Sequence, residues 1–123
     1  MTLGRKTWAI PDGYIPSGSN GPEPQMTSHD AACLLNAGDR DAHVEIMIYF
    51  SDREPAGPYK ITVPARRTLH LRFNDLKDPE KLPHDADFSS VFRSDQPIVL
   101  QHSRLDSRQA ENALMTTLAF PLD

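Results

Sequence analysis

Cysteine, aromatic residues and long hydrophobic runs are all scarce in this sequence. The single cysteine, Cys33, excludes an internal disulfide. Aromatic residues make up only 7% of the chain, so a nucleic-acid surface built from stacked rings is not expected. The longest apolar runs, such as Ile46 to Phe50, are far shorter than the roughly 20 residues that a membrane-spanning helix needs.

Acidic residues also outnumber basic residues, 17 to 13. The formal net charge is -4, which argues against a surface that mainly holds phosphate backbone. Arg66, Arg67 and Arg72 could form a local basic patch, so weak nucleic-acid binding is an alternative that the acidic total disfavours. No charged-then-apolar leader stands at Met1 to Leu3, and we therefore expect a cytoplasmic protein.

Chain-breaking residues, in contrast, are plentiful. Eleven prolines and six glycines favour short strands and tight connections over long helices. A chain of 123 residues predicts a single domain over residues 1–123, and folding at this size buries roughly two thirds of the extended chain's surface. We therefore expect a hydrophobic core that needs neither a disulfide nor a metal.

The region from Asp41 to Asp75 shows the clearest pattern, because apolar residues occupy every second position in three successive runs. These are Val44, Ile46, Ile48 and Phe50; then Tyr59, Ile61 and Val63; then Leu69, Leu71 and Phe73. Period-two alternation indicates strands with one buried face. We predict an antiparallel meander whose third strand carries His70, Arg72 and Asn74 on its solvent face.

The apolar face of this meander needs a cover, and no long helix is apparent. The sequence therefore predicts an all-β, antiparallel β-sandwich with a second sheet made from the rest of the chain. Its expected strands are Lys6 to Ile10, stopped by Pro11; Ser28 to Asn36, buried on both faces; and Gln96 to Leu105, where Pro97 is tolerated only at the first position.

Three segments are less well determined by their patterns. Residues Phe88 to Phe92 fit either a short strand or a single helical turn, and both alternatives stay open. Residues 106–120 fit helical spacing as well as a strand, and we favour a turn over Asp106 to Glu111 followed by a strand. The proline-rich stretch from Pro11 to Pro24 predicts a stiff loop that is either functional or packed as an Ω-shaped unit.

Motifs for catalysis or cofactor binding are not evident. The glycines form no phosphate-binding pattern, and the histidines lack a short metal-ligand spacing. Those histidines are His29, His43, His70, His84 and His102. Cys33 lies among apolar residues and is expected to be a buried structural thiol. We therefore expect no catalytic residues, no metal and no cofactor.

Several longer sequence strings occur together. They are NGPEPQ (residues 20–25), LNAGD (35–39), DAHVEI (41–46), TVPARRT (62–68), RFNDL (72–76) and QHSRLDSRQAENAL (101–114). As a set they resemble the sensory rhodopsin transducer family, which comprises small soluble cytoplasmic proteins proposed to carry the signal of a microbial sensory rhodopsin. The resemblance extends over nearly the whole chain.

This resemblance implies a jelly-roll-like β-sandwich similar to carbohydrate-binding modules, a homotetramer, and no enzymatic activity. It also implies a membrane-embedded sensory rhodopsin as partner, with weak DNA binding suggested as well. Related domains are proposed to bind small molecules, including sugars. Two hypotheses follow: a signalling adaptor that docks on the cytoplasmic face of a rhodopsin, or a sensor for a small polar ligand that acts without one.

For a ligand site we predict eight contact residues. They are Trp8 as a stacking platform, Asn20 and Glu23 from the stiff loop, and Arg72, Asn74, Gln101, His102 and Arg104 as polar contacts. Trp8 could instead pack in the core. The polar residues could equally form a charged outer face with ion pairs within the chain.

Overall fold

The computed structural model describes residues 2–122, and nearly all of its regular structure is antiparallel β-strand. The strands are β1 (Arg5–Tyr14), β2 (His29–Asn36), β3 (Ala42–Phe50), β4 (Ala56–Val63), β5 (Arg67–Arg72), β6 (Asp87–Asp106), β7 (Ala113–Leu118) and β8 (Phe120–Leu122). A single 3₁₀ turn, Phe73–Asp75, follows β5. The all-β prediction is confirmed.

The strands form two sheets that share the 20-residue strand β6. In the first sheet the order is β4-β3-β6-β1-β8. In the second sheet, β2 lies between β5 and β6, and β7 pairs with the other edge of β6. Strand β6 pairs with β3 up to Ser94 and with β2 from Val99 onward, so it passes from one sheet to the other.

One hydrophobic cluster joins the inner faces of both sheets. The buried residues of β6 between Phe88 and His102 are all even-numbered, and Phe92 and Leu100 are fully buried. The ring of Phe73 packs edge-on against the rings of Phe88 and Phe92, with centroids 5.2 and 6.2 Å away. The predicted sandwich core is therefore present, and it includes Val44, Ile46 and Ile48 of β3 as the alternation indicated.

The predicted three-stranded meander is wrong in its third strand. Strand β4 pairs with β3, but β5 pairs with β2 in the second sheet. The side chain of Asn36 donates hydrogen bonds to the carbonyls of Val63 and Pro64, and Arg66 adopts a φ of 53° where the chain crosses over. Period-two alternation predicts which face of a strand is buried, but it does not specify the neighbouring strand.

Two prolines lie inside strands that were predicted to end or begin at them. Strand β1 continues past Pro11 to Tyr14, because Pro11 falls in an irregular stretch of the β1–β6 pairing between Ile10 and Gly13. Pro97 lies inside β6, between the end of pairing with β3 and the start of pairing with β2. At both positions the missing N–H falls where the regular ladder is interrupted.

The remaining predictions have mixed outcomes. Residues 88–92 belong to strand β6, and the C-terminal strand is confirmed as Ala113–Leu118. Burial of β2 on both faces is wrong at Leu35, which is 41% exposed, whereas Ala31 and Ala32 are both buried. Cys33 is half-buried on the outer face of the second sheet, and burial raises the pKa of its thiol.

Candidate functional site

A buried carboxylate, Asp30, lies at the centre of the polar interior. It stands near the start of β2, its side chain is fully enclosed, and its backbone pairs with Arg104 of β6. Its Oδ1 lies 2.7 Å from Nε2 of His102, and its Oδ2 accepts hydrogen bonds from Nε of Arg104 (3.0 Å) and the backbone N–H of Tyr14 (2.9 Å). Such a carboxylate is compatible with burial because each oxygen has a partner.

Arg104 links this buried group to the surface. Its Nη2 donates a 3.0 Å hydrogen bond to Asp12, whose side chain is largely exposed. Burial lowers the pKa of the Arg104 guanidinium, but its hydrogen bonds and ion pairs with Asp12 and Asp30 outweigh burial and raise the pKa overall. A continuous network of ion pairs and hydrogen bonds therefore runs from solvent through Asp12 and Arg104 to Asp30, which also contacts the imidazole of His102.

His102 also borders a cleft on the other side of this network. The cleft has a volume of about 190 Å³ and lies between β1, β6 and the β7–β8 connection. Its walls are Ile10, Pro11, Asp12, His102, Thr117, Leu118, Ala119 and Phe120. Most of these side chains are apolar, so the cleft can accept an apolar group and offers few hydrogen bonds.

Three of the eight predicted contact residues surround Asp30. His102 and Arg104 bind its carboxylate, and Asn74 accepts a 3.3 Å hydrogen bond from its backbone N–H. Asn74 also donates to the carbonyl of Ser28. The structure therefore brings Asn74, His102 and Arg104 together around one buried group.

The other five predicted residues lie elsewhere. Trp8 is 7% exposed in the core, and Gln101 lies on the outer face of the second sheet, where it bonds Thr116. Asn20 donates to the carbonyls at positions 107 and 108, Arg72 donates to the carbonyl at position 24, and Glu23 is exposed in the same loop. Asn20 therefore ties the proline-rich loop to the β6–β7 connection, and Arg72 ties it to β5.

Sequence reasoning missed Asp30 itself. The sequence feature that could have identified it is its position in β2. Asp30 falls on the same inward-facing side of the strand as Ala32, Leu34 and Asn36. Charged side chains are almost never fully buried unless they are paired, so an acidic residue in that register predicts a buried partner. His102 occupies an inward position on β6, two residues after Leu100, and pairs with Ala32 of β2.

A second concavity, which we call the acidic groove, lies where the β3–β4 and β5–β6 connections approach each other. Its volume is about 520 Å³, and its walls include Tyr14, Phe50, Asp52, Arg53, Asp85 and Asp87. Hydrogen bonds from the hydroxyl and backbone N–H of Ser17 lower the pKa of Asp85. Within residues 2–122 no cluster of three His, Cys, Asp or Glu side chains is arranged to hold a metal ion.

Comparison with known proteins decides the family. A family model described as Anabaena sensory rhodopsin transducer matches residues 3–121. The chain belongs to the sensory rhodopsin transducer family.

Two solved structures resemble this chain closely. One is the Anabaena sensory rhodopsin transducer, with 65% sequence identity and a TM-score of 0.76; the match covers 83% of this chain and 98% of that one. The other is a Thermotoga maritima protein, described as the crystal structure of Thermotoga maritima 1070, with 33% identity and a TM-score of 0.88, covering 98% of this chain and 97% of that one. No curated protein gives a match.

Proposed function

We propose that this transducer docks on the cytoplasmic face of a membrane-embedded sensory rhodopsin and relays its signal without catalysing a reaction. Membership of the transducer family over residues 3–121 is the observation that carries the proposal. The 65% identity to the Anabaena transducer supports the same kind of partner. Within the described residues no helix has the length and apolar character needed to cross a bilayer.

Charge complementarity supports docking through the acidic groove. Cytoplasmic loops of membrane proteins carry an excess of Lys and Arg, whereas this chain has a net charge of -4. Asp52 and Asp87 are exposed at the groove, and Asp85 is held ionised by Ser17. Complementary surface charges steer association and lose strength as salt screens them.

We expect the double variant Asp52→Asn/Asp87→Asn to bind Anabaena sensory rhodopsin roughly 5- to 30-fold more weakly than the wild type at low salt, because each exposed charge pair contributes up to about 1 kcal/mol. Calorimetric titration into rhodopsin-containing nanodiscs measures this difference. Raising the ionic strength should reduce the difference between the two proteins.

The control for this experiment removes the same amount of charge elsewhere. Asp39→Asn/Glu111→Gln changes two exposed carboxylates outside the groove and should bind nearly as tightly as the wild type. Equal weakening by both double variants would show that net charge, not the groove, governs binding. Absence of any heat with the wild-type protein would overturn docking itself.

We also propose that the transducer is a homotetramer. Exposed apolar side chains lie on its C-terminal strands and on β2, which pairs with the opposite edge of β6 from β7. Leu114 and Leu118 are 74% and 70% exposed, and the strand register places them on the same outer face of the second sheet as Leu35. An apolar sheet face of this kind is typical of an interface, since isolated monomers rarely expose such patches.

Leu118→Asp is expected to dissociate the tetramer into smaller species, because an assembled interface would have to bury an unpaired carboxylate. Light scattering after gel filtration should give four times the 13.8 kDa chain mass for the wild type and less for the variant. Tyr49→Asp, on the outer face of the first sheet, should leave the wild-type mass unchanged. A monomeric wild-type protein would refute the assembly.

A second candidate function is binding of a small molecule as a sensor. The cleft beside His102 favours it, because the buried network of Asp30, Arg104 and His102 ends at an opening with mainly apolar walls. Titration of a panel of sugars, nucleotides and small aromatic compounds tests this function without any rhodopsin. Saturable heat with a panel member but none with rhodopsin would favour the sensor over the adaptor.

A further inference from the structure

One nitrogen of His102 remains available to the cleft. The side chain is 2% exposed, and its Nε2 is engaged by Asp30. Its Nδ1 has no hydrogen-bond partner among residues 2–122. Within that range, Oγ of Ser90 is the only fully enclosed side-chain nitrogen or oxygen without a partner, so Nδ1 of His102 is not fully enclosed. Because His102 lines the cleft, we infer that Nδ1 opens onto it.

The partners of Asp30 determine which nitrogen carries the proton. A carboxylate only accepts hydrogen bonds, and Oδ1 of Asp30 lies 2.7 Å from Nε2 of His102, so Nε2 must donate. In the neutral imidazole the proton is then on Nε2, and Nδ1 carries a lone pair that can accept a hydrogen bond. In the neutral state of His102, Asp30 therefore makes the cleft-facing nitrogen an acceptor.

The walls of the cleft restrict the occupant further. Ile10, Pro11, Leu118, Ala119 and Phe120 provide apolar surface, and a volume of about 190 Å³ exceeds the roughly 150 Å³ of a cavity that holds benzene. An anion would meet the carboxylate of Asp12, which lines the cleft. A sugar would bring more hydroxyl groups than the cleft has partners for, and each unmatched hydroxyl costs desolvation.

We propose that this cleft binds a small uncharged ring compound that donates one hydrogen bond to Nδ1 of His102, as a phenol or an indole would. The apolar ring lies against the wall that includes Phe120. The proposal rests on the sensor function above and specifies its site and ligand class. It does not require a rhodopsin.

The test uses the full chain labelled with ¹⁵N, with phenol as the probe and toluene as its counterpart without a donor. Phenol should shift the Nδ1 resonance of His102 saturably, and toluene should bind about 3- to 10-fold more weakly because it lacks the hydrogen bond. Phe120→Ala removes an exposed wall residue and should weaken phenol binding about 5-fold or more. Tyr49→Ala removes an exposed aromatic ring outside the cleft and should leave binding unchanged.

Equal affinity for phenol and toluene, or a phenol titration that leaves His102 unmoved, would overturn the proposal. Unchanged phenol binding by Phe120→Ala would do the same. If phenol and indole fail while another member of the panel binds, the ligand class is wrong and the sensor function stands. If no compound in the panel binds, both fail together.

Discussion

Replacing Asp30 with alanine is expected to lower the free energy of unfolding by roughly 3–5 kcal/mol, the range for removing one member of a buried ion pair. The carboxylate is fully enclosed and accepts from His102, Arg104 and the backbone of Tyr14. In Asp30→Ala all three donors lose their acceptor, and the half-buried guanidinium keeps only Asp12. The cost arises mainly from donors left without partners in the interior.

Urea unfolding followed by far-UV circular dichroism measures this loss, with both proteins at the same concentration because assembly would couple stability to concentration. Asp12→Ala is the matched control. It removes the exposed carboxylate of the same network and should cost about 1 kcal/mol or less. An Asp30→Ala protein within 1 kcal/mol of the wild type would contradict the central role of this carboxylate.

The alternation of apolar residues predicted much of the fold correctly. It identified β3 and β4, because one face of each strand is covered by core residues. The second half of β6 was predicted instead from its apolar and β-branched residues Ile98, Val99 and Leu100. The pairing of β5 with β2 could not be predicted in the same way. Crossing between sheets depends on a local backbone conformation at Arg66 and on the distant hydrogen bonds of Asn36, and neither affects the period of the pattern.

The strand ends predicted at prolines are wrong for a related reason. A proline breaks a strand only where its missing N–H would have been paired, and pairing is a property of the neighbouring chain. Pro11 and Pro97 lie at irregularities in the ladders of β1 and β6, so they interrupt no regular hydrogen bond. The sequence of a strand alone does not indicate where its partner strand bends away.

The polar residues of the candidate site were found in part. Asn74, His102 and Arg104 converge because β2, β6 and the turn after β5 meet around Asp30. The polar pattern of the sequence predicts those three residues but not the carboxylate that they surround, because Asp30 lies at the start of an apolar run. Their role in binding a ligand stays a prediction.

Replacing Trp8 with alanine is expected to destabilise the protein by roughly 3–5 kcal/mol, the usual cost of deleting a large aromatic side chain from a core. Trp8 is 7% exposed within the hydrophobic cluster. Its Nε1 donates hydrogen bonds to the carbonyls of Arg5 (2.9 Å) and Ile98 (3.0 Å), joining β1 to β6. Urea unfolding monitored by circular dichroism measures the change without relying on tryptophan fluorescence.

Comparison with Phe120 separates packing from ligand stacking. If Trp8 were a stacking platform, Trp8→Ala would abolish ligand binding and leave stability nearly unchanged. The structure instead predicts a large loss of stability for Trp8→Ala. Phe120→Ala should lower the free energy of unfolding by less than about 1 kcal/mol, because that ring is 62% exposed. For Trp8→Phe we expect a loss of stability between those of Trp8→Ala and Phe120→Ala. This variant keeps most of the buried ring but loses the hydrogen bonds of Nε1, including the one that ties β1 to Ile98 of β6.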